Sequence, residues 1–471
     1  MSTCRLPLAA TLSALAMTAM AADYTGGVRD VTPRSIQDNG RRIYLLGLVD
    51  IDGVKMNNTT DGNNSRSDMR SEGWGRAELG GRVVLDDRVE VGVTVGYVSQ
   101  AGNNRPLGYD SHNPPPANVL NFPEANEANG YHSSGDMTLQ DAYIHLPDFL
   151  GFRQLDVLVG RQMVANMNLR KGRAAWLYDS RSMNRPVTRW DGAQIKYNLS
   201  MLSMDIDAFA FRLPDDSSLF GGMADWKVID KSEVSLFFTG SYTLQKDLIL
   251  NDLTTAENLR TAYAGFDLDL GVFDFYGEFA MQRGDVGRNT GQTFHGWGAN
   301  VGVDWRVIKD RSQEYVLGVQ YEHLSGDDGS NPEQYNGFVN TWEATSDTYL
   351  VEHEKYTQIS RMQVGNLSDW KVRMEYSVFS RMRMSAIWGR YQLVTPAPEA
   401  SNSLGNEYDL TLSYDYTGNT RSDRSGGCTF TLFGGIFRPD AGYEDLQRAR
   451  GVADAGTDMM WLAGLNILAR F

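Results

Sequence analysis

Between residues 88 and 99 the chain alternates strictly: Val89, Val91, Val93, Val95 and Tyr97 share one face of an extended strand, and Glu90, Gly92, Thr94 and Gly96 share the other. The same period of two returns in "EYDLTLSYDY", where Tyr408, Leu410, Leu412, Tyr414 and Tyr416 oppose Glu407, Asp409, Thr411, Ser413 and Asp415. In "VFDFYGEFAMQ", Phe273, Phe275, Phe279 and Met281 oppose Asp274, Tyr276, Glu278 and Gln282; in "WKVRMEYSVF", Trp370, Val372, Met374 and Tyr376 oppose Lys371, Arg373 and Glu375. Such a period specifies half-buried strands, because successive side chains leave a strand on opposite faces. Eighteen segments fit it: 41–52, 74–85, 88–99, 136–146, 154–163, 189–199, 203–213, 219–228, 232–243, 260–270, 273–284, 293–307, 314–325, 355–366, 370–384, 404–416, 427–437 and 457–471. The segment 219–228, "LFGGMADWKV", is the poorest fit, and the even count depends on it.

Alternation alone does not say which face is wet. A soluble sandwich buries its apolar face, whereas a membrane barrel turns that face to lipid and encloses the polar one around a lumen. Three features favour the barrel. Many segments are long enough to cross a bilayer at the usual tilt. Tyr315 and Tyr321, Trp297 and Trp305, and Tyr408 and Tyr416 stand near opposite ends of apolar faces, where interface girdles belong. The chain closes on the alternating "TDMMWLAGLNILARF", ending in Phe471, which resembles the assembly signal of bacterial outer-membrane proteins. With both ends on one side, the longer connections gather on the other: 53–73, 100–135, 164–188, 214–218, 244–259, 285–292, 326–354, 385–403 and 438–456. The expectation is an all-β, transmembrane antiparallel barrel of about 18 strands, with long extracellular loops and short periplasmic turns.

Composition adds the compartment. Residues 1–22 read as a secretory signal: Arg5, the apolar "LPLAATLSALAMTAM", then small residues at Ala19-Met20-Ala21. Residues 23–471 show no linker and read as a single barrel domain; Cys428 is the one cysteine left there, so no internal disulfide forms. After the signal, no apolar run approaches the roughly 18 residues of a membrane helix. The Gram-negative outer membrane is the expected location, with lipid, lipopolysaccharide and the barrel-assembly machinery as surroundings, and a monomer as the expected state.

Several stretches carry a family resemblance: "LSGDDGSNPE", "LGNEYDLTLSYDY", "TLFGGIFRPDAGY" and the closing "DMMWLAGLNILARF", with "VLVGRQMV" and "RWDGAQIKY" upstream. They resemble the alginate-export family of 18-stranded outer-membrane channels. The resemblance implies a monomeric channel whose arginine-rich constriction passes an anionic uronate polymer outward.

The charge distribution bears on that constriction. Although the net charge is −15, residues 161–189 hold seven bases, Arg161, Arg170, Lys171, Arg173, Arg181, Arg185 and Arg189, and the one acid Asp179. Trp176 and Tyr178 lie among them as stacking surfaces for sugar rings. Arginine stays charged and its planar fork matches carboxylates in two-point contact. Rings of bases are the usual means by which a pore favours anions. Strand parity adds Arg76, Arg82, Lys196, Lys371, Arg373, Arg381 and Arg383. The expected lining, with the family pattern included, is Arg76, Arg161, Arg173, Arg181, Arg185, Arg189, Asp191, Lys196, Arg373, Arg381 and Arg383. Arg161 shares its parity with Val157 and Val159 in a strand apolar on both faces. Each arginine could instead pair with acids on neighbouring strands or with lipopolysaccharide phosphates outside.

Acids complicate the picture. Glu78, Glu90, Asp205, Asp207, Asp267, Asp269, Asp274, Glu278, Glu322, Glu375, Glu407, Asp409 and Asp415 share the lumen by parity and outnumber the strand bases. The loop 326–354 carries seven acids and no Lys or Arg. It reads as a solvated acidic loop, or as one pairing with the basic loop across the mouth; its Asp327 and Asp328 are a weak Ca²⁺ candidate without calcium-loop spacing. The six histidines form no readable Ser–His–acid set, and no zinc, phosphate-loop or dinucleotide motif appears, so an enzyme is not expected. Beside the polyanion exporter stand a general porin for small solutes and a non-conducting structural or adhesive barrel.

Overall fold

The computed structural model describes residues 34–38, 41–57, 69–85, 89–102, 137–162, 190–213, 217–231, 234–251, 254–287, 291–310, 312–339, 348–352, 366–379, 381–416, 427–449 and 455–470. The strands are β1 (Arg34–Asp38), β2 (Arg41–Asn57), β3 (Arg70–Leu85), β4 (Val89–Gly102), β5 (Met137–Leu146), β6 (Leu155–Gln162) and β7 (Trp190–Leu199). They continue with β8 (Met204–Arg212), β9 (Ser218–Asp230), β10 (Ser235–Asn251), β11 (Thr254–Asp269), β12 (Phe273–Val286), β13 (Gln292–Phe294) and β14 (Trp297–Lys309). Last come β15 (Gln313–Leu324), β16 (Gln334–Tyr335), β17 (Leu367–Val378), β18 (Met382–Leu393), β19 (Ser403–Asp415), β20 (Gly427–Pro439) and β21 (Met460–Arg470), with one helix, α1 (Ala441–Ala449), between the final two.

Eighteen of these make the wall, each pairing antiparallel with its neighbours in chain order. Closure comes from β2 against β21, in register from Leu48↔Arg470 to Asn57↔Trp461. Closing the sheet removes the open edges that lipid could not hydrate. The short β1 extends the inner end of β2, and the short β13 and β16 pair in parallel within loops. The doubtful segment 219–228 is the wall strand β9, paired on both sides.

The alternating faces are inverted relative to a soluble protein. On β19, Leu410 is 57% exposed and Glu407 0% exposed; Tyr408 and Tyr414 share the outward face, Asp409 and Asp415 the inward one. On β12, Phe273, Phe275, Phe279 and Met281 are exposed while Asp274, Glu278 and Gln282 are buried. Apolar side chains in contact with acyl chains and polar ones around a lumen are the arrangement lipid imposes. Trp297 and Trp305 stand exposed toward opposite ends of β14, Trp297 stacked on His323 with ring centroids 4.5 Å apart.

Two expectations are corrected. The segment 355–366 lies outside the described residues except Asn366, but β15 pairs directly with β17, so no wall strand stands between them. Conversely, 370–384 is not one strand: it breaks at 379–381, and β18 occupies the front of what reads as a loop at 385–403. Phe379 takes a positive φ of 50° there, turning the chain without the usual Gly, Asn or Pro signal. One strand too many and one too few leave the count unchanged. Phe471 and residues 1–22 lie outside the described residues.

Candidate functional site

The inner wall is built from acid–base ladders. Asp304 on β14 and Arg373 on β17 are both register partners of Gly318 on the intervening β15. A Cβ at Gly318 would lie 2.4 Å from Asp304 Oδ1, so the bare glycine leaves the gap through which Arg373 Nη2 reaches that oxygen at 2.7 Å. Arg373 Nη1 also meets Glu375 at 2.9 Å, and Arg383 on β18 stands 3.8 Å from the same carboxylate. Nearer the inner end, Arg306 joins Asp269 at 2.7 Å and Asp274 at 3.1 Å, a bridge the strand pattern did not single out.

The sequence-expected lining is thus partly placed. Arg76 is buried on the inward face, 3.8 Å from Asp50 and 3.6 Å from Glu78. Lys196 faces the lumen 3.8 Å from Asp207. Arg373 and Arg383 point inward within the ladder above, whereas Arg381 is exposed in the turn between β17 and β18. Arg161 and Asp191 differ from expectation. Val159 is 48% exposed and Leu158 6% exposed, so the odd-numbered side of β6 is the outward one. Arg161 Nη2 joins Asp191 Oδ2 at 2.7 Å on that outer surface. Arg173, Arg181, Arg185 and Arg189 lie outside the described residues. What is described is their attachment: Gln162 and Trp190 pair in register, both buried and inward, Trp190 packing on Phe211 with centroids 5.7 Å apart.

The element the sequence misread is the acidic loop after β15. It is not solvated throughout: Asp328 and Glu333 are exposed, but two of its described segments, 337–339 and 348–352, fold into the barrel. Phe338 packs among Trp190, Phe211, Tyr276 and Leu324. Val339 exchanges two hydrogen bonds with the Gln282 side chain on β12, its N–H donating to Oε1 and its C=O accepting from Nε2, both at 2.7 Å. Further on, residues 348–352 lie against β17 to β20. The N–H of Tyr349 donates to Asp409 Oδ2 at 3.0 Å, and those of Leu350 and Val351 donate to the two oxygens of Glu407 at 2.5 and 2.8 Å. Tyr349 stacks on Phe433 with centroids 4.5 Å apart, and its hydroxyl meets Thr411 at 2.6 Å. Lys371 ion-pairs with Glu352. Buried carboxylates require such partners, and buried backbone N–H groups require acceptors. Glu407 and Asp409 are therefore receptors for a loop, not rungs of an arginine ladder. The inward parity of these acids was visible; a backbone partner in a distant loop has no periodic signature.

Asp327 Oδ1 accepts the Asn336 N–H at 3.1 Å, and Asp328 Oδ1 the Ser330 N–H at 2.9 Å. The Ser330 hydroxyl and N–H hold the exposed Asp328 carboxyl below the usual carboxylate range. Among the described residues, no group of three or more His, Cys, Asp or Glu side chains is placed to hold a metal ion.

The whole arrangement is a wide barrel narrowed from within by loop segments fixed to its wall. Solved structures share the fold. OccK5 (OpdH) of Pseudomonas aeruginosa matches with a TM-score of 0.53 at 11% identity, over 91% of this chain and 98% of that one. OpdK of Pseudomonas aeruginosa, solved with vanillate, gives 0.52 at 12% identity over 91% and 98%. OccAB1 of Acinetobacter baumannii gives 0.52 at 10% identity over 91% and 96%. No curated protein sequence matches the chain. The profile of the family described as Alginate export matches residues 123–427, well over half of the chain. The protein is a channel of the Gram-negative outer membrane, not an enzyme. It belongs to the alginate-export family of outer-membrane β-barrels.

Proposed function

We propose that the channel conducts anionic solutes, uronate-type polysaccharide foremost, past a constriction shared between the inward segments of 326–354 and the basic segment 161–189. The observation that carries this reading is the family match, which spans the whole of that basic segment. The described wall bases are engaged by wall acids: Arg76, Arg306, Lys371 and Arg373 each stand within ion-pair distance of a carboxylate. Arg173, Arg181 and Arg185 are then the cations assigned to carboxylates in transit. Passage is passive: attraction at the mouth, then exchange of a carboxylate between successive guanidinium forks, each contact weak enough to release. Trp176 and Tyr178 offer flat faces to the sugar rings between those contacts.

A second reading has an observation of its own. The inward acids Glu78, Asp207, Asp267, Asp274 and Glu278 leave the described wall rich in carboxylate. That would suit a porin for small hydrophilic solutes without polymer specificity; OpdK, a barrel of this fold, was solved with a small carboxylate, vanillate. Current recorded across a planar bilayer while oligouronates or neutral dextrins are added separates the two. Block by oligouronates alone, weakened in Arg173→Ala/Arg181→Ala, supports the polymer; indifference to both supports the small-solute porin.

A further inference from the structure

Arg260 on β11 and Arg283 on β12 are direct register partners, and both are exposed on the outward face. Like charges directly opposite on neighbouring strands stand about 5 Å apart at Cβ and destabilise the pair. No described residue forms an ion pair that relieves this. Among the described residues neither arginine forms an ion pair; Arg283 donates to the carbonyl of Gln282 at 2.6 Å, and Arg260 has no hydrogen-bond partner. Of the described acids nearby, Asp285 shares the outward face and accepts from Asn258 Nδ2 at 2.6 Å, and neither it nor Glu257 stands within ion-pair distance of either arginine.

Their depth says what meets them. One register step toward the chain-end side, Tyr242, Ala262 and Met281 form the outward row, with Trp297 beside Met281; Tyr242, Met281 and Trp297 are exposed. The two arginines stand just beyond that aromatic row, on the long-loop side, at the level of the outer-leaflet head groups. A charge on the lipid face is costly at mid-membrane and tolerated at the interface. Lys246, exposed on β10, adds a base one row further out, where its register partner Ser218 is opposite Arg212 on β8, itself facing the outward Asp191.

We propose that this outward band, centred on Arg260 and Arg283, is a binding site for a phosphorylated glycolipid of the outer leaflet, the two guanidinium forks holding one phosphate between them. A phosphate accepts two-point contacts from each fork and cancels the repulsion that the bare pair creates. The site faces away from the lumen, so it is independent of what the channel conducts.

The test uses the full barrel, folded in a zwitterionic detergent. The thermal midpoint of its heat-modifiable mobility is followed on titration with diphosphoryl lipid A, dephosphorylated lipid A, or inorganic phosphate alone. Diphosphoryl lipid A is expected to raise the midpoint of the wild type. Arg260→Gln/Arg283→Gln should start at an equal or higher midpoint without lipid and need about tenfold or more lipid A for the same rise. That reversal of sign distinguishes a lost site from a damaged fold, and an unchanged reversal potential in planar bilayers confirms an intact channel. An equal response of variant and wild type, an equal response to the dephosphorylated lipid, or the full effect from inorganic phosphate alone would overturn the proposal.

Discussion

Glu407 on the inner face of β19 accepts the backbone N–H of Val351 at 2.8 Å, and its second oxygen takes that of Leu350. A wall acid thereby fixes a loop segment inside the lumen. Each hydrogen bond to a charged group contributes about 1.5–3 kcal/mol. Glu407→Ala should loosen Leu350 and Val351, while Asp409, Thr411 and Lys371 still hold their neighbours, and should not open the wall, because the ladder of β19 is made by backbone groups. The expected outcome is a larger and noisier single-channel conductance with an unchanged heat-modifiable shift. Conductance identical to wild type would show that the segment does not limit the passage.

The Arg373–Asp304 bridge exists because Gly318 has no side chain. Gly318→Val should drive the two groups apart, taking Asp304 off the guanidinium while Arg373 keeps Glu375. Breaking a buried ion pair costs about 3–5 kcal/mol. The midpoint of urea unfolding in lipid vesicles should fall accordingly, and Gly318→Val/Asp304→Asn, which removes the displaced charge and leaves Arg373 on Glu375, should recover part of the loss.

The inversion of faces can be read by a single pair of neighbours. Leu410 and Thr411 are adjacent on β19, the first outward and the second inward. Leu410→Arg places a charge against acyl chains at a cost of about 2–4 kcal/mol near mid-membrane. Thr411 instead packs inward beside Asp409, its hydroxyl against that of Tyr349 at 2.6 Å and away from lipid. A packed core would penalise Leu410→Arg as lipid does, so the faces are told apart by reach: in a Cys428→Ser background a Leu410→Cys thiol should react with a membrane-dissolved maleimide, and protection of that thiol would mean that the apolar face is the core.

Much of this wall was legible because lipid on one side and a polar lumen on the other impose a period of two that few other environments sustain. The middles of β4, β12 and β19 follow it closely. The errors fell where a different physics decides. Residues 355–366 carry strand-like alternation, yet the wall resumes only at Leu367, since pairing with β15 and not periodicity makes a wall strand. The turn at Phe379 hid a strand boundary by adopting a positive φ in a residue that rarely does. Arg161 belongs to a strand apolar on both faces, where parity points both ways, and Asp191 shares the outward parity of Ile195 and Tyr197; their mutual ion pair is on the outer surface. The inward course of the acidic loop rests on Gln282, Glu407 and Asp409 meeting its backbone, contacts between residues some sixty positions apart.

The basic segment yields a graded expectation. Replacing Arg173, Arg181 and Arg185 by alanine one at a time should reduce chloride-over-potassium preference stepwise, with the triple variant losing most of it. Arg161→Ala, which removes an outward-facing group, should leave selectivity unchanged while loosening Asp191. Equal effects from the loop arginines and from Arg161 would place the selective charges elsewhere.

The most direct measurement is the zero-current potential of the purified, refolded barrel in a planar bilayer separating two concentrations of potassium chloride. The account predicts a measurable current whose reversal potential carries the sign of anion preference. A membrane that stays silent, or a potential of the cation-selective sign, would contradict it.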